Sequence, residues 1–204
     1  MYFVKNDIKK VARKNQIIEA ASAVFACKGF ARTTIAEIAA RANIGKGTIY
    51  EYFNSKEDLY FAVFDWFMSK TGAEVMVSIA TLKGSAADKL KAVSASLMNS
   101  LDEMRDLFAL FMEFWAASAS PQTQPRFKQF FKQGYGEFRA IVSALINEGI
   151  ERGEFRAGLK VSSVASALVG TWDALLLQAW FDSEFDHKAA AEAFIEVLIK
   201  GMKS

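Results

Sequence analysis

Apolar residues recur at intervals of three and four along almost the whole chain, and no segment alternates strictly, so the pattern predicts helix nearly throughout and no strand. The first helix is expected over about Asp7–Lys28, with Ile17, Ala21, Val24 and Phe25 on one face and Gly29 as its stop. A short helix follows, with Thr34 as N-cap and Glu37 three residues on as the capping-box partner. It ends near Ala42, because Asn43 and Gly45 are turn residues, and a third short helix covers Lys46–Phe53. Ser55 then caps a helix expected over Lys56–Ile79, with Asp58 at its third position. Later helices are expected over Ser85–Ser100, Asp102–Ala119, Pro125–Arg152, Val161–Phe181 and Asp186–Lys203. Lys83-Gly84, the polar stretch 118–124 beside Pro121 and Pro125, and Gly153–Lys160 are the breaks between them.

Composition makes this an all-α globular chain. Its 204 residues are 52% hydrophobic, with 18 Phe and 4 Trp, and 24% charged, enough apolar surface to bury a substantial core. One His (His187) and one Cys (Cys27) leave little for a zinc site, a histidine-based triad or a disulfide, so no metal, no cofactor and no catalysis are expected. His187 reads as a solvated first-turn residue and Cys27 as a small packing residue. The stretch 1–14 lacks the apolar core of a signal peptide, and Val164–Phe181 is interrupted by Thr171, Asp173 and Gln178. It is expected to be a buried helix, not a membrane span, and the protein to be cytoplasmic.

The net charge of +2 hides an uneven distribution. Residues 1–56 carry 10 Lys plus Arg against 4 Asp plus Glu, whereas residues 57–204 carry 15 against 19. A basic domain over 1–56, running on into the fourth helix, and a mildly acidic, Phe-rich domain over 57–204 are the expected organisation. The basic piece is the candidate for a polyanionic partner.

Two short helices joined at Asn43-Ile44-Gly45 have the spacing of a helix-turn-helix, with Ile35, Ile38, Ala39, Ile44 and Ile49 placed to form its small core. Lys46, Gly47, Thr48, Tyr50, Glu51 and Tyr52 are left for the outer face of the second helix, with Lys56 one turn beyond. Such groups supply donors for phosphate oxygens and a close backbone approach. The run from Thr33 to Leu59, through Asn43-Ile44-Gly45-Lys46-Gly47-Thr48-Ile49-Tyr50-Glu51-Tyr52-Phe53, with Gly29-Phe30 before it, resembles the DNA-binding domain of the tetracycline-repressor (TetR) family of transcriptional regulators. The resemblance implies that Thr34, Tyr50, Tyr52 and Lys56 contact phosphates and that Lys46, Gly47 and Thr48 face bases or the adjacent backbone. Tyr50 as a core ring and Lys56 as a plain solvated lysine are the bland alternatives. Glu51 either accepts from a cytosine amine or faces water.

The C-terminal body resembles the family in layout only. The resemblance implies a helical ligand-binding and dimerisation domain enclosing a pocket for a hydrophobic or aromatic effector. Its walls are expected from Phe64, Met68, Phe108, Phe111, Met112, Trp115, Phe131, Tyr135 and Phe138, with Trp172 from a later helix. Asp106 and Glu113 lie opposite the aromatic arc of their helix, and Glu113 is expected to face solvent. Asp173 has three readings: ligand contact, subunit interface or ordinary solvation. The apolar helix Val161–Phe181 and the last helix are expected to pair with those of a second subunit, giving a homodimer that reads a palindromic double-stranded DNA operator. The expected function is a repressor released by its ligand. An apolar-ligand carrier, or an enzyme built in the C-terminal cavity, is the alternative.

Overall fold

The computed structural model describes the backbone of residues 2–117 and 124–203 and the side chains of 8–100, 108–116 and 124–203. The stretch 118–123 and the side chain of Asp106 lie outside the described residues. Eight helices and no strand occur among the residues described: α1 Tyr2–Arg32, α2 Ile35–Arg41, α3 Lys46–Tyr50, α4 Lys56–Thr81, α5 Ala86–Ala117, α6 Gln124–Glu151, α7 Val161–Phe181 and α8 His187–Met202.

The two helices expected over Ser85–Ser100 and Asp102–Ala119 are one helix, α5. Ser100, placed where the break was expected, sends its hydroxyl back to the Ser96 carbonyl (3.0 Å) and to Glu74 Oε2 (2.8 Å). A mid-helix serine bonded to the carbonyl four residues earlier continues a helix instead of capping a new one. α1 leaves helical geometry at Gly29 (φ 75°, ψ 165°), a region open to glycine, and resumes for a final turn. His187 is buried, not solvated, because Asp186 holds the cap position, its Oδ1 accepting from Ala189 N–H at 2.9 Å, and His187 begins the helix facing inward. Cys27 is exposed.

The chain forms two compact units. The first comprises Met1–Ser69 with Asp106–Ala117, and the second Lys70–Arg105 with Ser118–Ser204, so α4 and α5 each contribute to both. The first unit thus extends beyond residue 56 and recruits the C-terminal end of α5. Its core joins Ile17, Phe25, Ile38, Ile49 and Leu59 to Phe114, all fully buried. Rings dominate it: Tyr60 packs edge-on against Phe25 (5.2 Å) and Phe64 (5.2 Å), and Phe114 lies 4.1 Å from Phe64. The Tyr60 hydroxyl donates to the Leu110 carbonyl at 2.9 Å, satisfying the polar tip of a buried ring.

The second unit's core runs through Leu90, Val93, Val142, Ile146, Leu168, Ile195 and Ile199. A Cβ on Gly149 would overlap the buried Phe155 ring, so the glycine admits the turn that follows α6 against its own helix. α7 is long and apolar enough to cross a membrane. It is not buried all round: Ala165, Leu168, Val169, Trp172 and Leu175 face the core, while Ala167, Gly170, Ala174 and Phe181 are exposed.

Candidate nucleic-acid interface

Local chemistry builds the turn between α2 and α3. Thr34 and Glu37 form the expected capping box: Glu37 N–H donates to Thr34 Oγ1, and Thr34 N–H donates to Glu37 Oε2 at 2.9 Å. At the other end of α2, Asn43 takes the left-handed conformation (φ 52°), Ile44 N–H reaches back to the Ala39 carbonyl (3.0 Å) and Asn43 N–H to Ala40 (3.1 Å). This is the paired-bond helix ending that closes a helix in one residue and turns the chain sharply into α3. Ile38, Ala39 and Ile49 are buried between the two helices, while Ile35 and Ile44 are half-buried at the edge.

With Ile49 inward, α3 presents Lys46, Gly47, Tyr50 and Glu51 to solvent, and Thr48 and Tyr52 are half-buried. Tyr50 is 55% exposed, which excludes the core-ring alternative. A Cβ at Gly47 would meet nothing within 4 Å, so the fold itself does not require glycine there. α3 spans five residues and ends at Tyr50, short of the expected Phe53.

The segment leading into α2 is held by charges from elsewhere in the first unit. At the Gly29 kink the Phe30 N–H loses its helical partner and donates instead to Glu113 Oε2 at 2.7 Å. A Cβ on Gly29 would lie 3.0 Å from the same carboxylate. From the other side, the Lys56 ammonium donates to the Phe30 (2.8 Å) and Thr33 (3.0 Å) carbonyls and sits 4.3 Å from the Phe30 ring centroid. Lys56 is therefore not a plain solvated lysine, and Glu113, although exposed, does more than face solvent. Sequence reading missed Glu113 because its partner lies 83 positions away.

Both donors of Thr34 are likewise engaged, since its hydroxyl also donates to Glu37 Oε2 at 2.9 Å. Lys28 pairs with the other oxygen of that carboxylate. The Lys28 ammonium first, and then the Thr34 amide and hydroxyl, bring the Glu37 carboxyl down to about 2. A phosphate reaching Thr34 has to replace these bonds.

The expected ligand-binding residues divide between the two units. In the first, Phe64 and Phe108 are buried in ring-packed core, Met68, Phe111 and Met112 are half-buried, and Trp115 is 52% exposed. In the second, Phe131 stacks on Tyr135 (6.1 Å, 25°), and Phe138 packs against the core. Trp172 belongs to that core and directs its indole N–H to Ser94 Oγ at 3.0 Å. Asp173 keeps contact with solvent, yet surrounding protein pushes its carboxyl above the usual carboxylate range, opposed by a hydrogen bond from Tyr135. Asp173 is exposed and paired with Tyr135, and its three readings stay open.

A helix-turn-helix whose second helix exposes a polar face, joined to a larger helical body, defines a DNA-binding regulator. Comparison with known proteins agrees. Residues 17–63 match the domain of bacterial regulatory proteins of the tetR family, and residues 86–202, more than half of the chain, match the C-terminal domain of BetI-type transcriptional repressors. The chain belongs to the TetR family and is a ligand-responsive transcriptional regulator. It is 29% identical over 189 residues to the fatty acid metabolism regulator protein of Bacillus subtilis, covering 92% of this chain and 94% of that one. Among solved structures, the transcriptional regulator FadR of Bacillus subtilis, in complex with stearoyl-CoA, matches with TM-score 0.70 and 25% identity over 91% of this chain and 97% of that one. A transcriptional regulator of Pseudomonas aeruginosa PAO1 shares the fold with TM-score 0.79 at 22% identity, over 94% and 90% of the two chains.

Proposed function

We propose that this regulator is a cytoplasmic, homodimeric repressor that binds a palindromic operator through α3 and is released by a long-chain acyl thioester of coenzyme A. The observation that carries the effector class is the near full-length similarity to a fatty acid metabolism regulator, together with the stearoyl-CoA bound to the similar FadR structure. A chain of apolar methylenes suits an aromatic-rich helical body. Phe131, Tyr135 and Phe138 of α6 are the proposed apolar contacts, and Asp173 with Tyr135 the polar one. The buried rings of Phe64, Phe108 and Trp172 act as the packing behind such sites.

On the DNA side, Lys46, Gly47 and Thr48 are assigned to bases and the adjoining backbone, and Tyr50 and Tyr52 to phosphates. Gly47 supports this: open space around its Cβ leaves an approaching duplex as the reason for a glycine. Thr34 and Lys56 are assigned to phosphates through donors that DNA would draw from Glu37 or share with the α1–α2 carbonyls. Lys56 has one ammonium proton beyond the two already donated.

Dimerisation is assigned to α7 and α8. Ala167, Gly170 and Ala174 on α7, and Ala189, Ala193, Val197 and Gly201 on α8, recur at three and four and are exposed in the single chain. Val197 is 71% exposed and Phe181 70%. Small residues at that spacing let helices approach closely, and a second subunit buries them. Linkage follows from α5, one helix that contributes to both units and carries Glu113 at its first-unit end.

Enrichment of random duplexes against the purified protein, followed by titration with stearoyl-CoA, stearate and coenzyme A, tests the reading. Release of the enriched motif by the thioester, and not by coenzyme A alone, is expected. Enrichment of no motif overturns the operator assignment, and release by none of the three overturns the effector class.

A further inference from the structure

We infer that the head of α1 and the end of α3 form a second DNA-backbone site, separate from the reading face of α3 and adding to the electrostatic attraction. The inference rests on the DNA-binding reading and goes beyond it. A cleft of about 880 Å³ opens between Lys9, Lys10, Arg13 and Gln16 of α1 and Glu51 and Tyr52 at the end of α3. Three cations face one carboxylate there. Lys9 and Lys10 are exposed, and among the described residues neither makes an ion pair or a side-chain hydrogen bond.

Several other cations of the first 56 residues are committed, while Arg41 and Lys46 are exposed at the two ends of the α2–α3 turn. Lys28 is paired with Glu37, Lys56 holds two carbonyls, and Arg32 Nε donates to the Lys28 carbonyl at 2.9 Å. Residues 1–14 hold five of the ten Lys and Arg in that stretch against one acid, so the sequence concentrates positive charge near the head of α1. The cleft has space for a chain of phosphates, and its three cations are spread over positions 9–13 of one helix. That arrangement suits a polyanion better than a small anion.

The cleft is also tied to the recognition element. Arg13 donates to Gln16 Oε1 (2.9 Å), and Gln16 Nε2 donates to the Ala42 carbonyl (2.8 Å) at the end of α2. Lys14 lies over the Phe53 ring, 5.9 Å from its centroid. The head of α1 is thereby held beside the helix-turn-helix before DNA arrives. Tyr52 lines the cleft and belongs to the proposed phosphate-contacting set, so a strand running past α3 continues into the cleft. Contacts of this kind carry no base information; they add affinity on any sequence.

The test uses the full-length protein with two duplexes, one carrying the enriched motif and one unrelated, with affinity measured by fluorescence anisotropy from about 50 to 200 mM salt. The double variant Lys9→Gln/Lys10→Gln loses two phosphate contacts per subunit and four per bound dimer, so the slope of log affinity against log salt becomes shallower by about 3.6, at roughly 0.9 per contact. Affinity falls by the same factor on both duplexes, and their ratio is unchanged. Lys9→Arg/Lys10→Arg keeps the wild-type slope. Glutamine is a good helix former at exposed positions, and thermal melts followed by circular dichroism compare the folds directly. An unchanged slope in the glutamine variant overturns the site, as does a loss confined to the enriched motif. Loss of slope in the arginine variant assigns the effect to structure and also overturns it. Wild-type protein that binds neither duplex overturns the DNA-binding reading and this site with it.

Discussion

The outer face of α3 and the outer faces of α7 and α8 are both open in the single chain, for opposite reasons. α3 leaves hydroxyls, an ammonium and a glycine without a side-chain neighbour on a helix only five residues long. Its shape comes from caps and a tight turn, so its surface is free to carry polar groups that serve a partner. α7 and α8 are long, each buries one face in the second unit's core, and each leaves a second face of alanine, glycine and valine in water. The polar surface is stable alone and gains by meeting charge. The apolar surface carries a standing hydration cost that another apolar surface removes.

The largest expected effect comes from reversing the character of the apolar face. Val197→Asp places like charges across a symmetric interface, at a cost of several kcal/mol, and shifts the protein to monomer in analytical ultracentrifugation. Secondary structure is retained because the residue faces out. A variant that stays dimeric removes α8 from the interface.

Breaking the polar face comes next. Lys46→Ala and Tyr50→Phe each weaken operator binding by about tenfold, roughly 1.4 kcal/mol, with the dimer intact. Operator affinity equal to wild type in both variants sinks the assignment of α3.

A smaller effect is expected from Glu113→Ala, which leaves the Phe30 N–H without its carboxylate. The site is open to solvent, so the cost to stability is about 1 kcal/mol or less, measured by urea unfolding. Glu113→Gln, which keeps an acceptor, recovers most of it. Equal stability in all three proteins shows the bond to be idle.

The smallest concerns Glu37. Its folded carboxyl sits at about 2, below the ordinary unfolded value, so its contribution is fully present above that unfolded value and is lost as pH falls toward 2. Between pH 5 and 7 no change is expected from this group. Urea unfolding from about pH 5 to pH 2.5 checks it: Thr34→Ala, already lacking the cap, loses less over that range than wild type.

What was legible in the sequence follows the range of the interactions. The Val161–Phe181 helix has the expected ends, and Ser55 accepts from Asp58 N–H at 3.0 Å as its spacing implies. Thr34 and Glu37 cap α2 because the partners are three residues apart and need nothing else. The break expected after Ser100 is absent, because a serine can end a helix or bond back inside one. Only packing of Glu74 against it distinguishes the two.

The sequence by itself determined most of the helices, the turn at Asn43 and the helix-turn-helix, since capping, glycine conformations and three-to-four periodicity act over a few residues. Tertiary structure alone decided that Lys56 grips the α1–α2 carbonyls, that Glu113 holds the Phe30 amide, and that Lys9 and Lys10 line one cleft with Glu51 and Tyr52 at the end of the recognition helix. Each depends on residues distant in the chain being brought within about 3 Å, or to the walls of one cleft. Charge and hydrogen bonding depend on distance in space, which a linear pattern does not encode.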